Sequence, residues 1–331
     1  MPAEWEEHDG TWLSWPKDPD TFPPEILPKV EETYLEMISA LGEGEEVHLL
    51  VDDARMKGRV ENLVGTRSNV VFHEIRTVDV WVRDYGPTYL KGRDVSVVKW
   101  AFNAWGNKYE DLKPDNESGE RIAESTGLRV FRPGVVLEGG SIDPNGDGSL
   151  LTTEQCLLNP NRNPRLSKRE ISGILEENLG VTNVIWLGNG IEGDDTDGHV
   201  DDIARFVGSR RVMAAVEPDA GDHNHEPLSR NLRVLNESRD KQGRSLEIIE
   251  VPMPKRIDSP EGRLPASHLN FYLGNGAVVV PTFGGRSDRE ALNALEGAFP
   301  SRKVVGIDCR ALVFGLGTLH CATQQIPKGA I

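Results

Sequence analysis

Short apolar runs separated by turn residues recur from one end of the chain to the other. VHLLV at 47–51, VVF at 70–72, VSVVKWAF at 95–102, LLTTEQCLL at 150–158 and VIWL at 184–187 have the length and β-branched content of strands. So do ARFV at 204–207, LEIIEV at 246–251, AVVVP at 277–281 and VVGID at 304–308. Between these runs the apolar spacing changes to three and four. Ile26, Val30, Tyr34, Met37 and Leu41 share one face of a helix expected over 25–41. Similar patterns predict helices over 167–179 and 288–298, with Ser167 and Ser287 as N-caps. Alternating strands and helices argue the α/β class. The stretch Pro218 to Pro227 is the most loop-like part of the chain.

Composition narrows the function classes. A chain of 331 residues accommodates one large α/β domain or about two smaller ones, and it buries enough core to fold without disulfides. Its 53 acidic against 37 basic residues leave a formal charge of −16. That balance argues against a nucleic-acid binder, which needs a clustered basic surface, and suits a cationic ligand. Cys156, Cys309 and Cys321 are too few, and odd in number, for a disulfide framework. The opening MPAEWEEHDG lacks the apolar run of a signal peptide, and stretches such as 276–281 are too short to span a bilayer. The expectation is a cytoplasmic protein with no membrane partner; oligomeric state is left open. No glycine-rich phosphate loop is present.

Candidate chemistry lies in five places. Aromatic and charged residues mix in EWEEHDGTWLSWP, VWVRDYGP and WAFNAWGN. Read as a strand, VWVRDYGP puts Trp81 and Arg83 on one face and Val82 and Asp84 on the other, with Asp84 at the exit before Gly86-Pro87. Asp84 is either a turn cap or a pocket carboxylate. Asp143, Asn145, Asp147, Gly148 and Glu154 satisfy the EF-hand loop spacing, but both flanks read as strand, so a hairpin explains them better than calcium. Glu138 closes an apolar run before Gly139 and Gly140, which would allow a close approach to the backbone. In GDDTDGHVDD, His199 stands among Asp194, Asp195, Asp197, Asp201 and Asp202. This reads as a solvated acidic turn, as a general base with supporting carboxylates, or as part of a metal hydrolase site with Glu138. Cys321 follows two glycines and His320 and precedes polar residues, which makes it a nucleophile candidate, whereas Cys156 and Cys309 read as inert core.

Six segments, MPAEWEEHDGTWLSWP, WVRDYGP, FNAWG, LEGGS with TTEQCLLNPNRNP, GDDTDGHVDD and LHCATQQIP, occur in the order found in the agmatine deiminase and bacterial-type peptidylarginine deiminase family. The resemblance spans Glu4 to Pro327. It implies a pentein fold, a five-bladed α/β propeller with pseudo-fivefold symmetry, formed by a single catalytic domain over 1–331. It also implies Cys321 as nucleophile and His199 as general acid/base. Glu138 would hydrogen-bond His199, Asp84 and Asp201 would clasp a guanidinium, Trp81 would stack on it, and Asp195 would face a distal amine. Two segments depart from the family pattern, Gly315-Leu316-Gly317-Thr318 and Asn107-Lys108-Tyr109. The chemistry implied is coherent without a cofactor or metal. Two carboxylates keep the guanidinium oriented and charged, a thiolate attacks its carbon, and an imidazole handles the protons. The expected substrate is agmatine, with a peptidyl arginine or another guanidine as the alternative.

Overall fold

The computed structural model describes residues 1–65 and 69–331. Among them, five sheets are built alike. In each, two antiparallel strands are followed by a third that lies parallel to the second and returns through a helix, as parallel pairing requires. In the first, Thr323–Pro327 from the end of the chain pairs antiparallel with His8–Ser14, which runs beside Glu46–Val51 and, one place further, Val70–Glu74. Helices Leu27–Leu41 and Ala54–Val64 make its crossovers. The second sheet joins Thr88–Lys91, Val95–Val98 and Arg129–Phe131 across helix Asp115–Ser125. The third joins Asp143–Pro144, Ser149–Thr153 and Asn183–Leu187 across Lys168–Leu179. The fourth joins Ala204–Phe206, Arg211–Val216 and Glu247–Pro252 across His225–Glu237. The fifth joins Tyr272–Leu273, Ala277–Thr282 and Lys303–Asp308 across Arg286–Ala298. A small hairpin, Asp258–Ser259 with Gly262–Arg263, stands apart.

The central strands are continuous apolar runs because sheet and helix cover both faces. Val278, Val279 and Val280 are wholly buried, and each such side chain contributes roughly 1.5–3 kcal/mol. Ser167 caps its helix as expected, sharing a reciprocal capping box with Glu170. Ser287 does not cap: that helix starts at Arg286, and the Asp288 carboxylate accepts from the amides of Gly284 and Gly285 instead.

Other departures follow from side chains that bond to the backbone. The strand expected over 95–102 ends at Val98, after which the Lys99 ammonium turns inward to the Trp100 carbonyl and Asn116. The strand expected over 150–158 ends at Thr153, whose hydroxyl caps a helical turn, Glu154–Leu157, by accepting from the Cys156 amide. VWVRDYGP is not a strand. Val82–Tyr85 forms one helical turn closed by Gly86 N–H on the Val82 carbonyl, so the two-faced alternation does not hold. The loop expected to Pro227 gives way to helix at His225. The hairpin reading of Asp143–Glu154 holds: Asp143 accepts from Arg205 Nε at 2.7 Å and Asn145 Oδ1 from the amides of Asp147 and Ser149, so these oxygens are already engaged.

Candidate active site

The turn that enters the first strand of each sheet faces one common point. Asp84 precedes the second sheet, Glu138 the third, His199 and Asp201 the fourth, Asn270 the fifth, and Cys321 the strand that opens the first. Three short helical turns fix four of them. Val82–Tyr85 carries Asp84, Gly139–Ser141 begins at Glu138, and Val200–Asp202 begins at His199. All six side chains are at most 6 % exposed.

Gly140 shows why no larger residue serves beside Glu138. A Cβ there would lie 2.6 Å from His199 Nδ1, 2.9 Å from Asp201 Oδ2 and 3.0 Å from Asp84 Oδ1, and its N–H donates to Asp84 Oδ1 at 2.9 Å. The close approach expected at these glycines is therefore made by the protein's own groups. Trp105 Nε1 donates to the other Asp84 oxygen at 2.9 Å. Asp201 Oδ2 faces His320 Nδ1 at 2.6 Å and Cys321 Sγ at 3.9 Å, while Oδ1 is buried without a hydrogen bond. His320 Nε2 in turn meets Glu4 at 2.8 Å.

His199 lies between two acids. Nδ1 is 3.8 Å from Asp84 and Nε2 is 3.8 Å from Glu138, which is ion-pair distance rather than the hydrogen bond expected. Neither ring nitrogen has a hydrogen-bond partner among the described residues. Burial disfavours its charge, but Asp84, then Cys156 and Glu138, carry its pKa well above the ordinary imidazole range. Burial would raise Glu138, yet Arg162, with Nε at 2.7 Å, holds it below its usual range. Asp201 is also lowered, His320 overcoming burial, whereas burial and Asp201 push Asp202 well up. Burial, followed by Asp201, Asp202 and Asp84, drives the Cys321 thiol well above its ordinary pKa.

A cavity of about 650 Å³ opens above Cys321. Asp84, Trp81 and Trp105 line it near the thiol, and Asp195, Tyr109 and Glu261 line it elsewhere. Gly317 packs against Trp81, where a Cβ would come within 2.7 Å of the indole. Of the residues singled out in the sequence, Trp81, Asp84, Asp195 and Cys321 line the cavity, whereas Glu138, His199 and Asp201 are buried and do not line it. Arg83 does not reach it: its guanidinium is buried on Gln325, Glu4 and the His320 carbonyl. Cys156 is not isolated core, since its sulfur lies 4.0 Å from Glu138. Glu138, Cys156 and His199 present donor atoms within 4.8 Å of one another, a spacing that could hold a metal. Asp201, expected to complete such a set, does not belong to it. With Arg162 already on Glu138, these groups suit proton handling better.

Asn270, Arg162, His320 and Trp105 were not read as site residues. Asn270 sits in SHLNFYL without any motif, yet its Oδ1 accepts from the Thr318 hydroxyl and the His320 and Cys321 amides, and its Nδ2 reaches Cys321 Sγ at 3.1 Å. Arg162 stands within the quoted NPNRNP, and a lone arginine between prolines was the available signal.

Over 97% of its length the chain matches DDAH of Pseudomonas aeruginosa, at 16% identity and a TM-score of 0.56, a likeness of fold alone. The architecture is therefore an α/β fold similar to that protein's, with a thiol, an imidazole and carboxylates buried together within it. The chain belongs to the Porphyromonas-type peptidyl-arginine deiminase family, whose pattern matches residues 1–327. It is 38% identical over 357 residues to the agmatine deiminase of Ectopseudomonas mendocina, covering 100% of this chain and 96% of that one. The agmatine deiminase structure of Enterococcus faecalis matches with a TM-score of 0.93 at 32% identity, covering 99% of this chain and 96% of the other. No described helix is long and apolar enough to cross a membrane.

Proposed function

We propose that this chain hydrolyses the guanidinium of agmatine to N-carbamoylputrescine and ammonia through a covalent intermediate on Cys321. One observation carries the reading: Asp84 and Asp201 are buried beside the Cys321 thiol, and Asp201 Oδ1 has no hydrogen-bond partner among the described residues, which leaves an acceptor for the donors and charge of a cation. A planar guanidinium supplies that charge and the N–H donors together. Agmatine is favoured over free arginine because an α-carboxylate would need a cation. Arg263, the one basic residue among the described cavity-lining residues, is paired with Glu192 and Asp222.

Before substrate binds, burial and the field of the neighbouring acids, Asp201 first, favour the protonated thiol. A guanidinium seated on Asp84 and Asp201 cancels that field, the thiol passes its proton to solvent, and the thiolate adds to the central carbon to give a neutral tetrahedral adduct. His199, held as imidazolium, protonates one nitrogen, and the C–N bond breaks to release ammonia and leave a cationic amidino-thioether. Neutral His199 takes a proton from water as its oxygen adds to the carbon. Collapse breaks the C–S bond, returns the electron pair to sulfur and gives the urea, with the excess proton leaving on ammonia. Trp81 covers the guanidinium plane. The whole chain acts as one catalytic domain, its five like sheets arranged as a five-bladed ring about the site, which accounts for the convergence of five entry turns.

The test incubates the protein with agmatine, arginine and a blocked arginyl peptide, with and without a chelator, and measures ureido product and ammonia. Agmatine turnover is expected, resistant to chelation, abolished in Cys321→Ala and retained in Cys156→Ala. Loss of turnover with chelator, or its survival in Cys321→Ala, would overturn the mechanism. Turnover of the peptide alone would transfer the assignment to a peptidyl substrate.

A further inference from the structure

The wall between the two ends of the cavity is a rigid strut. Trp105 Nε1 donates to Asp84 at 2.9 Å, its indole meets the Tyr109 ring edge-on at 5.9 Å, and the Tyr109 hydroxyl donates to Asp195 Oδ2 at 2.6 Å. One continuous stack therefore connects a carboxylate beside the thiol to a carboxylate on the outer wall. The backbone beneath it is held in an unfavourable shape: Ala104, Trp105, Gly106 and Asn107 all have positive φ, between 50° and 87°. Three of these four are not glycine, so the surroundings must impose the conformation.

The imposing contacts are present. Asn103 Oδ1 accepts from the Gly106 amide at 2.8 Å, and Asn103 Nδ2 donates to the Asn161 carbonyl at 2.9 Å. A Cβ on Gly106 would fall 2.3 Å from the Asn161 side chain, so the segment has no freedom on that side. Lys108 Nζ donates to Asp197 Oδ1 at 2.7 Å and also to the backbone carbonyl of Asp195. Asp197 is fixed in turn by Arg162 at 2.6 Å, the same guanidinium that holds Glu138. The strut is thus anchored to the groups around His199 and cannot shift independently of them. Tyr109 occupies Oδ2 of Asp195, so the remaining oxygen is the one left to the cavity.

We infer that Trp105 and Tyr109 act as a ruler: they hold Asp84 and Asp195 at a set separation and so select linear dications in which a guanidinium and a primary ammonium are one fixed length apart. The inference rests on the proposed deimination of agmatine and extends it to what the site rejects. Tyr109 is a positioning residue, acting through Asp195 rather than on the reacting atoms.

The experiment uses ω-aminoalkylguanidines with three, four and five methylenes and a butylguanidine that lacks the amine. Each is measured with the wild type, Tyr109→Phe, Asp195→Asn and the double variant. Tyr109→Phe should raise KM for the matched dication by about tenfold, leave kcat within about twofold, and flatten the dependence on chain length. KM for butylguanidine should not move, and Tyr109→Phe should add nothing in the Asp195→Asn background. An equal rise in KM for butylguanidine, an unchanged length preference, or additive effects in the double variant would each overturn the ruler. A wild type that turns over none of the aminoalkylguanidines would instead overturn the proposed function, so the two failures are distinguishable.

Discussion

Asn270 offers a sharp test of how the thiol is controlled, because two substitutions separate its two sides. Its Oδ1 is the described acceptor for the Thr318 hydroxyl and also takes the Cys321 amide, both fully buried, while the His320 amide shares it with the Asn270 carbonyl. Asn270→Ala strands those two donors. At about 1–3 kcal/mol for each unsatisfied buried group, it should cost roughly 2–6 kcal/mol of stability. Asn270→Asp keeps the acceptor and removes only the Nδ2 donor, which lies 3.1 Å from both Cys321 Sγ and Asp202 Oδ1. Burial and Asp201 push the Asp202 pKa well up, which favours its neutral carboxyl as a donor to the new carboxylate. Its urea midpoint should therefore stay close to wild type. A hydrogen bond to an ionised group is worth about 1.5–3 kcal/mol, so losing the donor to the thiolate should slow kcat by roughly 10- to 150-fold. Alkylation of Cys321 by iodoacetamide in the presence of a guanidinium ligand, followed by mass spectrometry, should slow at least as much, since a negative charge is added. Wild-type alkylation and turnover in a well-folded Asn270→Asp would refute the claim that Asn270 stabilises the thiolate.

Burial is the main reason that the Asp195 carboxyl is pushed up to about 6, with Asp194 adding to it and the Tyr109 hydroxyl opposing. Its charge is present above that pH and lost below it, so kcat/KM for the dication should fall by about tenfold per unit below pH 6, with butylguanidine lacking this inflection; a shared inflection would remove Asp195 from the effect. Asp79 is buried, and its pKa is raised to about 7. The folded state then holds a proton that the unfolded chain releases near the usual carboxylate pKa, so between about pH 4 and 7 the native form binds more protons and stability declines as pH rises. Asp79→Asn keeps an acceptor for the Val80 amide and can donate to Thr21, so it should flatten the fall in urea midpoint across that window; an unaltered slope would assign the decline to other groups.

The alternation of strands and helices was legible because parallel strands covered on both faces leave long apolar runs such as 47–51 and 277–281. Helices Ala54–Val64, Asp115–Ser125 and His225–Glu237 were not, since each buries only a few apolar positions and much of its face is polar. VWVRDYGP departs from the strand expectation for a reason the local pattern does not carry: β-branched and aromatic residues favour a strand, and the turn is supported by a tertiary contact of the Arg83 amide with the Cys321 carbonyl. Site residues with reactive chemistry, Cys321 and His199 foremost, stand out by type and motif. Residues that act by aiming others do not. Asn270 and Tyr109 carry side chains that occur anywhere, and their significance is a distance across more than 50 positions of sequence or a contact on another loop.

The acid excess of the sequence takes on a specific meaning at this point in the fold. Asp84, Glu138, Asp201 and Asp202 are buried together, which is unfavourable unless cations compensate them. The protein supplies Arg162 to Glu138 and His320 to Asp201, and His199 lies between Asp84 and Glu138. No arginine or lysine reaches the Asp201 Oδ1 side among the described residues. Burial and the acids around it together suppress the thiolate, so the buried thiol should be silent toward neutral electrophiles. A ligand that relieves that suppression must be cationic, and to do so with hydrogen bonds to both acids it must be planar and carry several N–H groups. Under the proposed reaction, selectivity for a guanidinium and activation of the thiol have one electrostatic cause, and weakening the carboxylates to make Cys321 more reactive should also remove the reason the substrate binds.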